Sequence, residues 1–273
     1  MRLVDSHCHI QSDRFDADRD AVLEAARAAG VERILVPGWD RASSLAAVEL
    51  VDRVLWLDAA AGIHPHEAGR AADADWQAVA RLVADRRTVA VGETGLDYDR
   101  LFAPIPDQLA NLRRHLRLGL EVGKPAILHV RSPAGRRDAQ DAMVAELVAA
   151  GFGGPAAAAA FGDRPSAVIH SFSGPADYAR AVLDLGLAIS ISGLAFRAGE
   201  EATAAVARLI PGERLLVETD SPYLAPLGAP RKRNAPEWVR LTAAWVAERR
   251  GEAAEPAGAG LVAAYDATFR ACA

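Results

Sequence analysis

Two histidines one residue apart, His7 and His9, close the first strand-like run of the chain, with Asp5 just ahead of them. On an extended backbone alternate side chains share a face, so Asp5, His7 and His9 point the same way. Imidazoles and carboxylates gathered in one place are the donor set of a catalytic divalent-metal site. Asp5 can orient an imidazole through its second ring nitrogen. The same rhythm recurs along the chain. Glu93 follows Val89-Ala90-Val91, His129 follows Ala126-Ile127-Leu128, and His170 follows Ala167-Val168-Ile169. Asp220 lies just past Leu215-Leu216-Val217, and His64 just past the apolar run ending at Ala61.

Each of these groups has a distinct chemical use. A carboxylate has two oxygens and can bridge two cations, as two-metal hydrolases require, and Glu93 is the best-placed bridge. Lysine is excluded from that role: Lys124 precedes its strand and so lies on the opposite face, and Lys232 lies late in a loop. Asp220 can ligate and also accept a proton from a coordinated water, which makes it, with Glu93, the catalytic pair. Glu218 is its rival, two residues back on the same strand face. His64 is expected to contact substrate or an oxyanion. Asp97, Tyr98 and Arg131 are placed with it at the substrate rim, Arg131 because guanidinium groups suit phosphate. The run Arg231-Lys232-Arg233 is a further phosphate candidate, and Tyr98 and Tyr223 could stack on bases. His66 is expected to be exposed, and His115 to lie on a helix surface.

These residues can meet only if the elements between them bring the ends of many strands to one mouth. Short apolar runs alternate with amphipathic stretches from end to end, which indicates a parallel sheet covered by helices. Helices are expected near residues 16–29, 43–51, 73–85, 105–122, 136–150, 175–185, 200–210, 236–250 and 258–271. Strands are expected at 2–4, 33–36, 54–61, 89–91, 126–128, 167–169, 187–192 and 215–217. About eight strand-helix units is the number that closes a (β/α)8 TIM barrel. An open doubly wound sheet would place a glycine-rich phosphate loop after its first strand. That position here holds Asp5-Ser6-His7-Cys8-His9. Residues 151–165, rich in glycine and alanine, read as a flexible loop on the face away from the chemistry. One barrel over 1–273 is expected, with no second domain.

Composition sets outer limits. The 273 residues are 51% hydrophobic and 25% charged, enough for a substantial core, and the net charge of −5 excludes a generally basic nucleic-acid coat protein. The chain opens with no charged stretch followed by a long apolar run, so no signal peptide is expected. No run is long enough to span a bilayer. Cys8 and Cys272 cannot make a disulfide framework, and a cytoplasmic, monomeric protein is expected.

The motif set resembles the TatD family of metal-dependent hydrolases. The matching segments are Asp5-Ser6-His7-Cys8-His9, Gly62-Ile63-His64-Pro65, Gly92-Glu93-Thr94-Gly95-Leu96-Asp97, Leu128-His129-Val130-Arg131, His170-Ser171-Phe172-Ser173-Gly174, Glu218-Thr219-Asp220-Ser221-Pro222-Tyr223 and Asn234-Ala235-Pro236. The resemblance implies two divalent metal ions, with Mg, Mn and Zn as candidates. One would be held by His7, His9, Glu93 and Asp220, the other by Glu93, His129 and His170. It implies 3′→5′ exonuclease action on single-stranded DNA or RNA, or alternatively hydrolysis of an ester such as a D-aminoacyl-tRNA. Asp99 departs from the family pattern, which usually has an aromatic there, and puts a negative charge at the expected rim.

Overall fold

A computed structural model describes residues 1–270. The eight strands are β1 Leu3–Asp5, β2 Val31–Pro37, β3 Leu57–Ala61, β4 Thr88–Asp97, β5 Ala126–Arg131, β6 Ala167–Ile169, β7 Ala188–Ile191 and β8 Leu215–Val217. They pair in parallel in sequence order. The ring closes between its first and last strands: Ser6 N donates to Val217 O at 3.0 Å, Asp220 N to His7 O at 2.8 Å and His9 N to Ser221 O at 2.7 Å. The architecture is the (β/α)8 barrel. Its strands are buried on both faces, which is why they read as short continuous apolar runs rather than alternating ones.

The helices are α1 Arg19–Ala28, α2 Arg41–Arg53, α3 Asp73–Ala84, α4 Ile105–Val122, α5 Asp138–Ala150, α6 Pro155–Phe161, α7 Ala176–Asp184, α8 Glu201–Val206, α9 Val239–Arg250 and α10 Ala254–Phe269. Local chemistry fixes their ends. Asp40 caps α2 by accepting from Ser43 N at 2.7 Å. Gly123, Gly151 and Gly251 end α4, α5 and α9 in the left-handed conformation that a side chain disfavours. Among the described residues no single helix is long and apolar enough to cross a membrane. Cys272 lies outside the described residues, as does the end of the expected last helix; Cys8 is buried and free.

Two expectations change here. Residues 155–161 are not a loop but the helix α6, started by Pro155 and anchored by buried Phe161, with Phe152 buried just before it. Alanine is the best helix former, and one buried aromatic suffices to seat a two-turn helix. The chain also runs on in β4 well past Val91. Val91 pairs with Ala126 and Thr94 with Leu128, so β4 spends one residue more than β5 across that interval. This bulge contains Gly92 and Glu93, and a bulge re-aims a side chain within a sheet.

His115 is likewise not on the surface. It is fully buried in α4, and its Nε2 accepts from Ile63 N at 3.0 Å while Nδ1 bonds Asn111 O at 2.8 Å. It thereby holds the strand end that leads into His64. Burial lowers its pKa to about 4, outweighing the bond to Asn111. An unfolded histidine titrates near 6.5, so the unfolded chain binds the extra proton first as pH falls. The stabilisation is complete above about pH 6.5 and disappears as pH falls through about 4, by on the order of 3 kcal/mol. A His115→Gln variant, less stable at pH 7, should therefore lose distinctly less stability than wild type between pH 7 and pH 4.5 in urea melts. Parallel losses would show that His115 is not the buried neutral acceptor described here.

Candidate metal centre

Glu93 sits at the centre of the mouth because of its bulge, and its backbone is fastened there by Glu93 N donating to Gly38 O at 2.7 Å. Its two oxygens face different partners. Oε2 lies 3.3 Å from His7 Nε2 and 3.6 Å from His9 Nε2. Oε1 lies 3.0 Å from His170 Nε2, 3.2 Å from His129 Nδ1 and 3.2 Å from His64 Nε2. Asp220 Oδ1 closes the first group at 3.4 Å from His9 Nε2 and 3.8 Å from His7 Nε2. Donor atoms around a cation with arms of ~2.0–2.1 Å are separated by roughly 3.3 Å at tetrahedral angles. The observed spacings are of that size.

The outer nitrogens decide which atoms carry lone pairs inward. His9 Nδ1 lies 3.2 Å from Pro37 O, and a carbonyl can only accept, so Nδ1 holds the hydrogen and Nε2 is free to ligate. His170 Nδ1 bonds Glu218 Oε1 at 3.2 Å with the same result. His129 is turned the other way: Nε2 faces Asp97 Oδ2 at 3.4 Å and Nδ1 points inward. Such outer partners set ring orientation and basicity in metal sites. The Nε2 atoms of His7 and His9 approach to 3.2 Å, and His129 Nδ1 and His170 Nε2 to 3.3 Å. Converging nitrogens of this kind are best satisfied by a cation between them. His7 Nδ1 has no hydrogen-bond partner at all. His7, His9 and Glu93 thus fit one cation with Asp220 beside them, and Glu93, His129 and His170 fit another.

His64 behaves differently. Its Nδ1 accepts from His66 N at 3.1 Å, so in the neutral ring Nε2 carries the hydrogen and donates toward Glu93. Burial lowers its pKa to about 4 and keeps it neutral. It is a fixed N–H donor at the mouth. Burial would raise Glu93, but the imidazoles of His64, His170 and His7 outweigh it and hold the carboxyl well below its ordinary range. In Asp220 burial is likewise outweighed, by the neighbouring imidazoles of His9, His7 and His170, and the carboxyl stays low.

The other expected residues are rearranged. Asp5 does not touch an imidazole. Its Oδ1 accepts from Thr219 N at 2.9 Å and His7 N at 3.3 Å, and its Oδ2 from Thr219 Oγ1 at 2.6 Å. It ties β1 to the turn bearing Asp220, and burial pushes its pKa up to about 8 despite those bonds. Asp97 is buried under the mouth, bonded to His66 Nε2 at 2.7 Å, rather than presented to substrate. His66 is correspondingly only part-exposed. Tyr98 is packed into the hydrophobic core. Side-chain alternation separates the two: Asp97 shares the face of Gly95, which pairs with His129, and Tyr98 turns the other way into the core. Arg131 reaches the rim but pairs with Asp99 at 2.9 Å. Arg233 is held by Asp18 at 2.6 Å and lies over Phe15, so the basic run is not a continuous patch. Lys124 is on the opposite face, as its position before β5 implied, donating to Val83 O and Asp85 O.

Trp39 was not picked out from the sequence. Its ring lies edge-on to His9 at 5.2 Å. The available signal was its place two residues past β2, where barrel strands end at the mouth. Ser171 at φ 43° and Asp220 at φ 53°, both beside the cluster, adopt left-handed backbone. Such conformations cluster at functional sites.

A parallel barrel with paired histidine-carboxylate groups at the C-terminal ends of its strands is a metal-dependent hydrolase of the barrel class. The chain belongs to the TatD family: the family model described as TatD related DNase matches residues 4–270. It is 34% identical over 246 residues to the uncharacterized metal-dependent hydrolase YabD of Bacillus subtilis, covering 90% of each chain. It is 35% identical over 257 residues to the 3′-5′ ssDNA/RNA exonuclease TatD of Cronobacter sakazakii, covering 92% of this chain and 91% of the relative. The crystal structure of YjjV, a TatD homologue from Escherichia coli K12, superposes with a TM-score of 0.86 at 28% identity, covering 98% of both chains.

If these groups hold divalent ions, binding must stabilise the folded state, because the site does not exist in the unfolded chain. At a free-ion concentration about 100 times the dissociation constant, Mn or Zn should raise the melting temperature of chelator-stripped protein by about 5–10 °C. Glu93→Gln, which weakens the shared carboxylate, should lose most of that rise. An equal rise in both proteins would place the ions elsewhere.

Proposed function

We propose that this protein hydrolyses phosphodiester bonds of single-stranded nucleic acid, acting from the 3′ end, with two divalent ions held by His7, His9, Glu93 and Asp220 and by Glu93, His129 and His170. The observation that carries this reading is the division of Glu93's oxygens between two separate histidine pairs. The exonuclease name of the Cronobacter relative supports the substrate class. Divalent cations at such a centre supply a coordinated water of lowered pKa and positive charge for the phosphoryl oxygens.

The chain's own groups do the remainder. Water attacks phosphorus, and Asp220, ionised and at the lip of the cluster, accepts its proton. As the bond from phosphorus to the leaving alcohol breaks, Asp220 returns the proton to that oxygen. His64 holds Oε1 of the shared carboxylate through its one N–H and so keeps Glu93 in place beneath the phosphoryl group. Arg131 adds a guanidinium at the rim. The aminoacyl-ester alternative drew on the acidic net charge and on Asp99, and Arg131 takes up the charge of Asp99 at 2.9 Å.

An oligonucleotide labelled in turn at each end, supplied with Mg or Mn, tests the reading. Wild type should shorten the strand stepwise from its 3′ end. Glu93→Ala should be slower by at least about a hundredfold, the scale of losing one electrostatic catalytic group. Equal cleavage by wild type and variant would remove Glu93 from the reaction and the proposal with it.

A further inference from the structure

Two aromatic rings stand at the mouth without being buried. Phe102 is 65% exposed and Tyr223 is 52% exposed. Phe102 meets His66 edge-on at 4.7 Å between ring centroids, and Tyr223 meets His9 at 6.2 Å. These two histidines lie on different sides of Glu93. His9 belongs with Oε2, whereas His66 packs against His64, whose Nε2 faces Oε1. The rings therefore bracket the cluster.

Backbone conformation singles out the same two places. Leu101, just before Phe102, has φ 50°, and Leu224, just after Tyr223, has φ 47°. A bulky side chain in the left-handed region is an outlier that the surrounding structure must impose. Tyr223's loop is also fastened to the turn that carries Asp220, because Asn234 Nδ2 donates to Tyr223 O at 2.7 Å and to Thr219 O at 2.9 Å. Keeping a large apolar ring in water is unfavourable, and strained backbone beside it adds to the cost. Core packing explains neither feature. A cation also stands beside one ring: the Arg14 guanidinium lies 5.6 Å from the Tyr223 centroid.

We propose that Phe102 and Tyr223 are stacking surfaces for the two unpaired bases on either side of the phosphodiester held at the Glu93 cluster. This rests on the phosphodiester reading above and extends it to the basis of substrate choice. Every base has a π-face, so such surfaces do not read sequence. A base paired in a duplex is not free to turn onto a ring, so they select single strands.

The test measures kcat/KM of Mn-loaded wild type, Phe102→Ala and Tyr223→Ala on three single-stranded oligonucleotides. One is intact, and the other two carry an abasic residue at the terminal or at the penultimate 3′ position. Each abasic residue should cost wild type about tenfold. One ring variant should become indifferent to one abasic position, and the other variant to the other position. Phe102→Trp should restore the lost discrimination. Abasic penalties that are absent in wild type, or unchanged in both alanine variants, overturn the stacking assignment while leaving the nuclease reading intact. Wild type that hydrolyses bis(p-nitrophenyl) phosphate but leaves every oligonucleotide whole overturns both.

Discussion

The Glu93 carboxylate is buried, ionised and surrounded by five imidazole rings, and the architecture of the mouth is built to hold it there. An isolated buried carboxylate is very costly, so such a group persists only with close compensation. The rings that surround it come from four other strand ends: β1 supplies His7 and His9, β3 His64, β5 His129 and β6 His170, while Glu93 itself rides on β4. A single helix or hairpin could not deliver donors to both carboxylate oxygens in this way. Closing the sheet into a ring can, because it makes the carboxyl ends of all strands neighbours.

Around that centre a second set of groups holds the first. Pro37 O and Glu218 each take the outer nitrogen of one ring, and Asp97 Oδ2 faces that of His129 at 3.4 Å, so the inward lone pairs of His9 and His170 are set before any ion arrives. Asp97 is in turn positioned by Asp99 N at 3.1 Å, Arg100 N at 2.9 Å and His66. Gly95 lets β4 approach β5 where His129 sits. A Cβ there would run into the His129 carbonyl, and φ at Gly95 is 143°. Preorganisation of this kind lowers the reorganisation needed when charge develops during reaction. The far end of the barrel has a different task. Buried Asp58 on β3 accepts from Tyr265 Oη and Arg270 Nη1, both at 2.9 Å, and so clamps α10 under the barrel. Polar groups at that face maintain the fold, consistent with a division between a catalytic top and a stabilising bottom.

Much of this was legible in the chain. The eight apolar runs mark the eight strands because each is buried on both faces, and the groups just past them mark the mouth. His7, His9, Glu93, His129, His170 and Asp220 converge as their strand positions implied. The errors have a common origin. Asp97 and Tyr98 were placed at the rim, and His66 and His115 on the surface, from their local surroundings alone, and local surroundings do not show where a distant part of the chain covers a residue. Adjacent residues of an extended strand face opposite ways, so Asp97 and Tyr98 could not both reach the rim. The loop after β3 lies against α4, which buries His115 and gives it a partner 52 residues away in sequence. The helix α6 was missed because an alanine run has propensity but no periodicity.

The sequence by itself determined the barrel, through the spacing of strand-length apolar runs, and the inventory of ligand-type groups, through their places at strand ends. Both are local properties, carried by neighbouring residues. The tertiary structure decided the rest: which oxygen of Glu93 faces which histidine, which nitrogen of each ring points inward, and that His64 is a donor while His129 presents Nδ1. It also decided that Asp5 joins the first strand to the last and that Phe102 and Tyr223 are left in water. Those choices depend on hydrogen-bond partners tens to hundreds of residues apart, such as Thr219 for Asp5 and Glu218 for His170. No local pattern specifies such a partner, because it exists only once the ring has closed.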